Sequence, residues 1–338
     1  MTDPQTPHDP VAALGYTPRE ADFLRLVACH GGYFVMRQYC AALDRARGYT
    51  TAAFARTLLR RKDATRHTFC RTQHVWHLAP RRLYAAAGVG ADAYRRRPRP
   101  AAAITARLMA LDYVLDHPQF QYLGADDAWG RYLEARGVDR LWWPQQRYHG
   151  HRATMPRLRY FVDAGPLAIA RDPGGAERLV VAFLDDAPQT AVSFARFLAV
   201  YRGLFAQLPT WQVVFVTQDR SRLDAARRTF DRDRATAVAF PYDAGALEIF
   251  EEYARLRQAF DRKQWSTLQK VGLDRLSVLR RVYVDAHWER LYGQWEQRGP
   301  AVVTAASAPP THPSSTGVFD GYVVPHSYAA TQAVRGPR

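Results

Sequence analysis

The fold is decided by residues 50–78, which read TTAAFARTLLRRKDATRHTFCRTQHVWHL. At 100° per residue, residues 51–62 form an amphipathic helix. Its apolar arc comprises Phe54, Ala55, Leu58 and Leu59, and its polar arc comprises Arg56, Thr57 and Arg60. Residues 65–70 and 75–78 then have strand character, and the polar stretch 71–74 between them predicts a turn. The pattern predicts a helix followed by a basic hairpin.

The residues before this stretch predict two further helices. Thr17 is a helix N-cap, Pro18 fits the first helical position, and Glu20 completes a capping box. Residues 31–32, both glycine, end that helix, and residues 35–43 predict a second, shorter one. The order helix, helix, turn, helix, hairpin is that of a winged helix-turn-helix, which we expect over residues 15–90.

The net charge limits the class of partner. The 338 residues carry a formal charge of +15, and the pI is near 10.0. A cationic field of this size most often serves a polyanion, so double-stranded DNA is the expected partner. Three cysteines are too few for a disulfide framework, and neither a signal peptide nor a run long enough to span a membrane is present, so we expect a cytoplasmic protein.

The remaining chain predicts an α+β protein with a larger second domain. Alternating strands and helices indicate a mixed α/β domain in which the apolar run 179–184 lies at the centre of a sheet. Strands are also predicted at residues 159–163 and 236–240, and a helix at residues 101–116. The helical spacing within residues 273–296 indicates that Trp288 and Leu291 serve packing. The predicted organisation is a disordered arm at 1–14, the winged helix at 15–90, a basic linker and spacer helix at 91–118, the α/β domain at 119–243, C-terminal helices at 244–298 and a disordered tail at 299–338.

The predicted DNA contacts lie on the helix, the hairpin and the linker. The helix would enter the major groove, and the other cations would meet phosphates or the minor groove. The full set is Thr51, Arg56, Thr57, Arg60, Arg61, Lys62, Arg66, Arg71, Arg95, Arg96 and Arg97.

The sequence contains no strong catalytic motif. It has no glycine-rich phosphate loop, no nucleophile elbow and no zinc-finger cysteine pairing. His67, Cys70 and His74 have a spacing that superficially resembles a metal site, but we favour hairpin residues near DNA or packing into the small domain. Neither a metal nor a cofactor is predicted.

Three carboxylates lie near predicted strand ends in the second domain: Asp163, Asp185 and Asp186. Their setting resembles the PD-(D/E)xK nuclease fold, in which an acid and an acid-x-lysine hold a divalent metal. Here Ala187 and Pro188 occupy the position of the lysine. Arginine is a poor substitute because its pKa stays above about 12. A degenerate, non-catalytic restriction-endonuclease-like fold is therefore predicted. For Asp185 and Asp186, a solvated strand end that caps the next helix explains the sequence at least as well as metal binding does.

Five segments together resemble a known family. They are LGYTPREADFLRLVACHGGYFVMRQY at 14–39, VWHL at 75–78, RYFVDAGPLAIA at 159–170, VAFLDDAPQTAVSFARFLAVYRGLF at 181–205 and WQVVFVT at 211–217. Over about residues 14–260 the chain is similar to replication-relaxation proteins of plasmids and integrative conjugative elements. The resemblance implies a DNA-binding winged helix and a degenerate nuclease-like domain in a protein of replication, transfer or transcription control.

The predicted function is that of a non-catalytic DNA-binding accessory or regulatory protein of a bacterial mobile element. A homodimer and protein partners from the replication or transfer machinery are compatible with this function. Two alternatives stay open. One is a metal-dependent nuclease or nickase that uses Asp163 and Asp185, and the other is an adaptor whose winged helix contacts protein instead of DNA.

Overall fold

The computed structural model has a mixed α+β architecture. It describes residues 9–70, 73–89, 96–124, 126–148, 157–161, 165–186, 190–236, 242, 244–284, 286–307 and 315–328. No helix in these ranges combines the length and the apolar character that crossing a bilayer would require.

The N-terminal part begins with a capped helix, as predicted. Thr17 accepts a hydrogen bond from the Glu20 backbone N–H, the Glu20 side chain reciprocates, and Pro18 starts the helix. The elements that follow are α1 (Pro18–Cys29), β1 (Tyr33–Val35), α2 (Met36–Ala42), α3 (Tyr49–Arg60), β2 (Ala64–Cys70), β3 (Gln73–Leu78) and α4 (Arg81–Ala86). The predicted helices and hairpin are therefore present, with ends shifted by a few residues.

The three strands form one antiparallel sheet in the order β1-β3-β2. Phe34 and Trp76 face the apolar core shared with α1 and α3. Tyr33, Val35 and Val75 face the opposite way. Strand β1 escaped prediction because its three residues are all buried, so no alternation of polar and apolar residues marks it.

Helix α5 (Ala101–Asp116) has the predicted bounds, but its expected role as a spacer is wrong. Leu108 and Met109 lie in one apolar cluster with Tyr33 of β1 and with Val180 of the second sheet. A helix that is apolar on nearly all sides must be covered on nearly all sides. Helix α5 therefore forms a shared core between the small sheet and the larger one.

The larger sheet has the strand order β4-β7-β8-β9-β10. Its strands are β4 (Gln121–Tyr122), β7 (Leu167–Arg171), β8 (Glu177–Leu184), β9 (Thr210–Thr217) and β10 (Thr316–Val323). Strands β4, β7 and β8 pair antiparallel, whereas β8, β9 and β10 pair parallel. As predicted, the apolar run 179–184 lies in the central strand β8.

Two strand predictions have different outcomes. The strand predicted at 236–240 falls almost wholly outside the described residues: Thr236 ends a helix, and 237–240 are not described. The predicted strand at 159–163 occurs as β6 (Arg157–Tyr160), which pairs with β5 (Gln145–Tyr148) in a separate hairpin.

The prediction of a disordered tail is wrong for the part that is described. Helix α13 (Ala301–Ser307) and strand β10 both lie within it, and Tyr328 is buried. Gly317 permits the pairing with β9, because a Cβ there would lie 2.3 Å from Trp211 Cζ2. The small, proline-rich composition concealed a strand whose stability comes from a distant partner. The expected disorder at 1–14 is likewise wrong for residues 9–14, since Val11 is fully buried.

The other helices pack on the sheet face opposite α5 or on one another. They are α6 (Asp126–Glu134), α7 (Thr190–Phe205), α8 (Leu223–Thr236), α9 (Ala244–Glu248), α10 (Phe250–Asp261), α11 (Trp265–Val282) and α12 (Ala286–Arg298). Trp288 and Leu291 of α12 are buried in this core, so these side chains serve packing, as predicted.

Candidate nucleic-acid interface

Helix α3 buries one face and exposes the other. Phe54 and Leu58 are fully buried, as predicted, and Phe54 stacks on Tyr39 of α2 with ring centroids 4.0 Å apart. The prediction for Leu59 is wrong, because 43% of this residue is exposed. The buried pair alone is sufficient to fix the rotation of the helix.

We define the α3 face as the five exposed residues that lie along one side of the helix: Tyr49, Ala52, Arg56, Leu59 and Arg60. They recur at three- and four-residue spacings, so they form one stripe along the helix. Tyr49 is 81% exposed, and the Arg56 guanidinium lies 5.7 Å from its ring centroid. Helix α3 contains no acidic residue, so the stripe carries only positive charge.

Two residues predicted to contact DNA have contacts within the protein. Thr51 is only 8% exposed, and its hydroxyl lies 3.5 Å from Cys40 Sγ in α2. Arg61 donates a hydrogen bond to the Leu14 carbonyl, and its guanidinium lies 5.0 Å from the Tyr16 ring centroid. The helical wheel placed Thr51 correctly on α3 but could not show that α2 covers it.

The junction between α3 and the hairpin is held by a buried carboxylate. Asp63 is 1% exposed and accepts hydrogen bonds from the Tyr16 hydroxyl at 2.6 Å and from Arg82 Nε at 3.1 Å. Burial and the adjacent Asp63 raise the pKa of Tyr16 well above its usual range, so the phenol remains a donor. Lys62 turns the chain with a φ of 57°. The hairpin is thus set at a defined angle to α3.

The hairpin presents its outer strand to solvent. Thr65, Arg66, His67 and Thr68 of β2 are all exposed, while Phe69 is buried. Arg66, which we predict to contact DNA, lies on β2, an edge strand of the small sheet. The prediction for Arg71 falls outside the described residues.

His67 and His74 of the hairpin do not lie in a metal-binding cluster of the described residues. His67 Nε2 lies 2.9 Å from the Thr65 hydroxyl, and His74 is exposed. The described part of the chain contains no cluster of three His, Cys, Asp or Glu side chains placed to bind a metal, and the Cys70 side chain lies outside that part.

Sequence reasoning missed two arginines in the loop between α2 and α3. Arg45 and Arg47 are exposed directly before the α3 face begins. The signal was the pattern RARG just before a helix start. Residues 15–90 contain thirteen Lys or Arg against four Asp or Glu, a net charge of +9 out of the total of +15. The positive charge is therefore concentrated in the small N-terminal part.

The basic linker is described and accessible only in part. Arg95 lies outside the described residues, Arg96 is half-buried and Arg97 is exposed. The backbone N–H of Arg99 donates to the Tyr33 hydroxyl at 3.0 Å, which holds this end of the linker against β1. Among the described linker cations that we predicted to bind DNA, Arg97 is the most accessible.

The second candidate site, at the carboxyl end of β8, is internally paired. Asp185 is 6% exposed and accepts hydrogen bonds from the Thr190 and Thr217 hydroxyls, the latter at 2.8 Å. Arg222 Nη1 lies 3.1 and 3.2 Å from the two oxygens of Asp185. The explanation of Asp185 as a solvated strand end is therefore wrong, although its bond to Thr190 does lie at the start of α7. Asp186 is exposed, and Asp163 lies outside the described residues.

Comparison of this chain with known protein families, with curated proteins and with solved structures finds no match.

Proposed function

We propose that the N-terminal part is a winged helix-turn-helix that binds double-stranded DNA through the α3 face. The observation that carries the proposal is the acid-free stripe of α3, in which Arg56 and Arg60 are exposed while Phe54 and Leu58 anchor the opposite side. A rigid helix with one cationic, solvent-facing side is what insertion into the major groove requires.

The residues of the stripe suit two kinds of base contact. Arg56 and Arg60 can each donate two hydrogen bonds to guanine, and such a contact discriminates by about 1–3 kcal/mol. Leu59 offers an apolar surface to a thymine methyl group. Lys62 and Arg66, beyond the end of α3, are suited to phosphates, which position the protein without reading sequence.

The larger sheet supports a scaffold role in this proposal. The Asp185 carboxylate already has Arg222 and two hydroxyls as partners, which favours a structural function over metal binding. We propose that the second domain is a nuclease-like fold without catalysis, and that the protein is an accessory or regulatory factor of a mobile element, in keeping with the resemblance to replication-relaxation proteins.

The test is a double substitution, Arg56→Ala with Arg60→Ala. The probe is a fluorescent pool of random-sequence duplexes, followed by the duplex that selection on the wild-type protein enriches. We expect affinity for the selected duplex to fall at least about 30-fold, the equivalent of about 2 kcal/mol. A matched control, Arg196→Ala with Arg228→Ala, removes two exposed arginines from α7 and α8 and should change affinity less than about threefold.

Salt dependence separates base reading from phosphate contact. Lys62→Ala and Arg66→Ala should each make affinity less sensitive to salt, reducing the magnitude of the negative slope of log affinity against log salt by about 1. Wild-type protein that fails to bind DNA at low salt would overturn the proposal and favour a protein partner for the α3 face. Equal losses in the α3 variant and the control variant would also overturn it.

A further inference from the structure

Exposed apolar side chains are concentrated in the segment that contains α11, a helix whose backbone is non-helical at Gln269 (φ 43°, ψ 176°). Ten large hydrophobic residues of the described chain are exposed, and five of them fall between 265 and 284. Leu273, Val278 and Val282 lie in the regular part of α11 after Gln269, Trp265 lies before that kink, and Val284 lies just beyond the end of the helix. Scattered exposed apolar residues are ordinary, but a cluster on one element indicates a surface that meets another macromolecule.

The geometry of α11 defines which side is free. Leu276, Leu279 and Tyr283 are buried against the core of the C-terminal helices. On the flanks, Arg275 pairs with Glu252 at 2.9 Å, and the Arg280 guanidinium lies 4.4 Å from the Phe260 ring centroid. These contacts fix the rotation of α11 about its axis.

Asp274, Val278 and Arg281 lie on the side of α11 opposite the buried stripe, because they follow one another at four- and three-residue intervals. Val278, in the middle, is 54% exposed. Leu273 and Val282, at 39% and 45% exposed, flank this line. The result is an apolar centre with a negative charge at one end and a positive charge at the other.

This arrangement is complementary to itself. If a second α11 lies antiparallel across it, with a two-fold axis between residues 277 and 278, residue 274 of each chain faces residue 281 of the other, and the two copies of residue 278 face each other. Opposite charges then meet at both ends, and the two Val278 side chains meet at the centre. An isologous interface requires this reciprocal pattern.

We propose that α11 is the dimerisation helix of this protein and that its partner is a second copy of the same chain, packed antiparallel. Val278 lies at the centre of the interface, and each Asp274 forms an ion pair with the Arg281 of the other chain. The charges set the antiparallel register, and the apolar residues supply the buried surface. The inference rests on α11 alone and does not depend on DNA binding.

The experiment is sedimentation equilibrium on the full chain, without DNA, from about 1 to about 100 µM. The wild-type protein should be a dimer in this range. Asp274→Arg places like charges opposite each other at both ends, and Arg281→Asp does the same with the opposite sign. Each single variant should raise the dimer dissociation constant at least tenfold, while the double variant, Asp274→Arg with Arg281→Asp, should restore the dimer.

Mixing the two single variants gives the sharpest test. In the mixed pair every 274 again faces an opposite charge at 281, so the mixture should dimerise although neither variant does so alone. Arg228→Asp on α8 is the matched control and should leave the dimer intact, and circular dichroism should report equal folding for all variants. A monomeric wild-type chain, a dimer insensitive to both single changes, or a mixture that stays monomeric would each overturn the proposal.

Discussion

Asp112→Asn is expected to weaken the joint between the two halves of the molecule. Asp112 lies in α5, is 4% exposed and accepts hydrogen bonds at both oxygens. Oδ1 accepts from Arg37 Nη1 at 3.0 Å and from Gln38 Nε2 at 2.8 Å. Oδ2 accepts from Arg37 Nη2 at 3.1 Å and from the Tyr328 hydroxyl. An amide NH₂ in place of either oxygen would therefore face donors, and Arg37 would lose its counter-charge.

The size of the expected loss in stability follows from the burial of the Asp112–Arg37 ion pair. Removing one partner of a fully buried ion pair costs about 3–5 kcal/mol, and because the Arg37 side chain is 20% exposed, solvent compensates part of the loss. We expect the free energy of unfolding to fall by about 2–4 kcal/mol, measured by urea denaturation at neutral pH.

The control is Asp116→Asn on the same helix. Asp116 is exposed and accepts a hydrogen bond from the Tyr322 hydroxyl, so its substitution should cost less than about 1 kcal/mol. A loss below about 0.5 kcal/mol for Asp112→Asn, or equal losses for the two variants, would refute the reasoning that this cluster joins α2, α5 and the C-terminal segment.

Two further predictions concern the sheets. Burial lowers the pKa of His77 to about 4, so as pH falls from about 6.5 to about 4 the unfolded chain takes up a proton that the folded chain does not, and stability decreases through that window. His77→Phe, which preserves the ring stack on Tyr33, should remove up to about 3 kcal/mol of the pH dependence of the free energy of unfolding. The measurement is urea denaturation at about pH 7 and about pH 4. The same pH dependence in both proteins would show that His77 is not its source. Gly317→Ala should cost about 1–3 kcal/mol in thermal unfolding by forcing Trp211 aside. Gly130→Ala, whose Cβ would meet nothing closer than 3.7 Å, should be neutral or stabilising, and equal losses for the two glycines would argue against the clash.

Local patterns predicted those elements whose signals are contained in a few residues. The capping box at Thr17 and Glu20 marks a helix start by its own chemistry, and the unbroken apolar run 179–184 is long enough to require burial on both faces. The amphipathic periodicity of α3 likewise identified Phe54 and Leu58 as its anchors. These features depend on side chains within one or two turns of the same segment.

The candidate site was predicted only in part, because accessibility depends on neighbouring elements. Arg56, Arg60 and Arg66 are exposed as expected. Helix α2 covers Thr51, and Arg61 donates a hydrogen bond to the Leu14 carbonyl, in the segment before α1. A helical wheel describes direction around an axis but contains no information about which packed element occupies each direction.

The sequence by itself determined the helix and hairpin of the N-terminal part, the concentration of positive charge there and the central strand of the second sheet. Only the tertiary structure decided that α5 lies in a core shared by both sheets, that β10 completes the large sheet, and that Arg222 pairs with the Asp185 carboxylate. The reason is that a helix or strand forms from short-range periodicity, whereas burial, edge pairing and ion pairing join residues far apart in the chain. For Arg37 and Tyr328, which meet at Asp112, that separation is 291 residues.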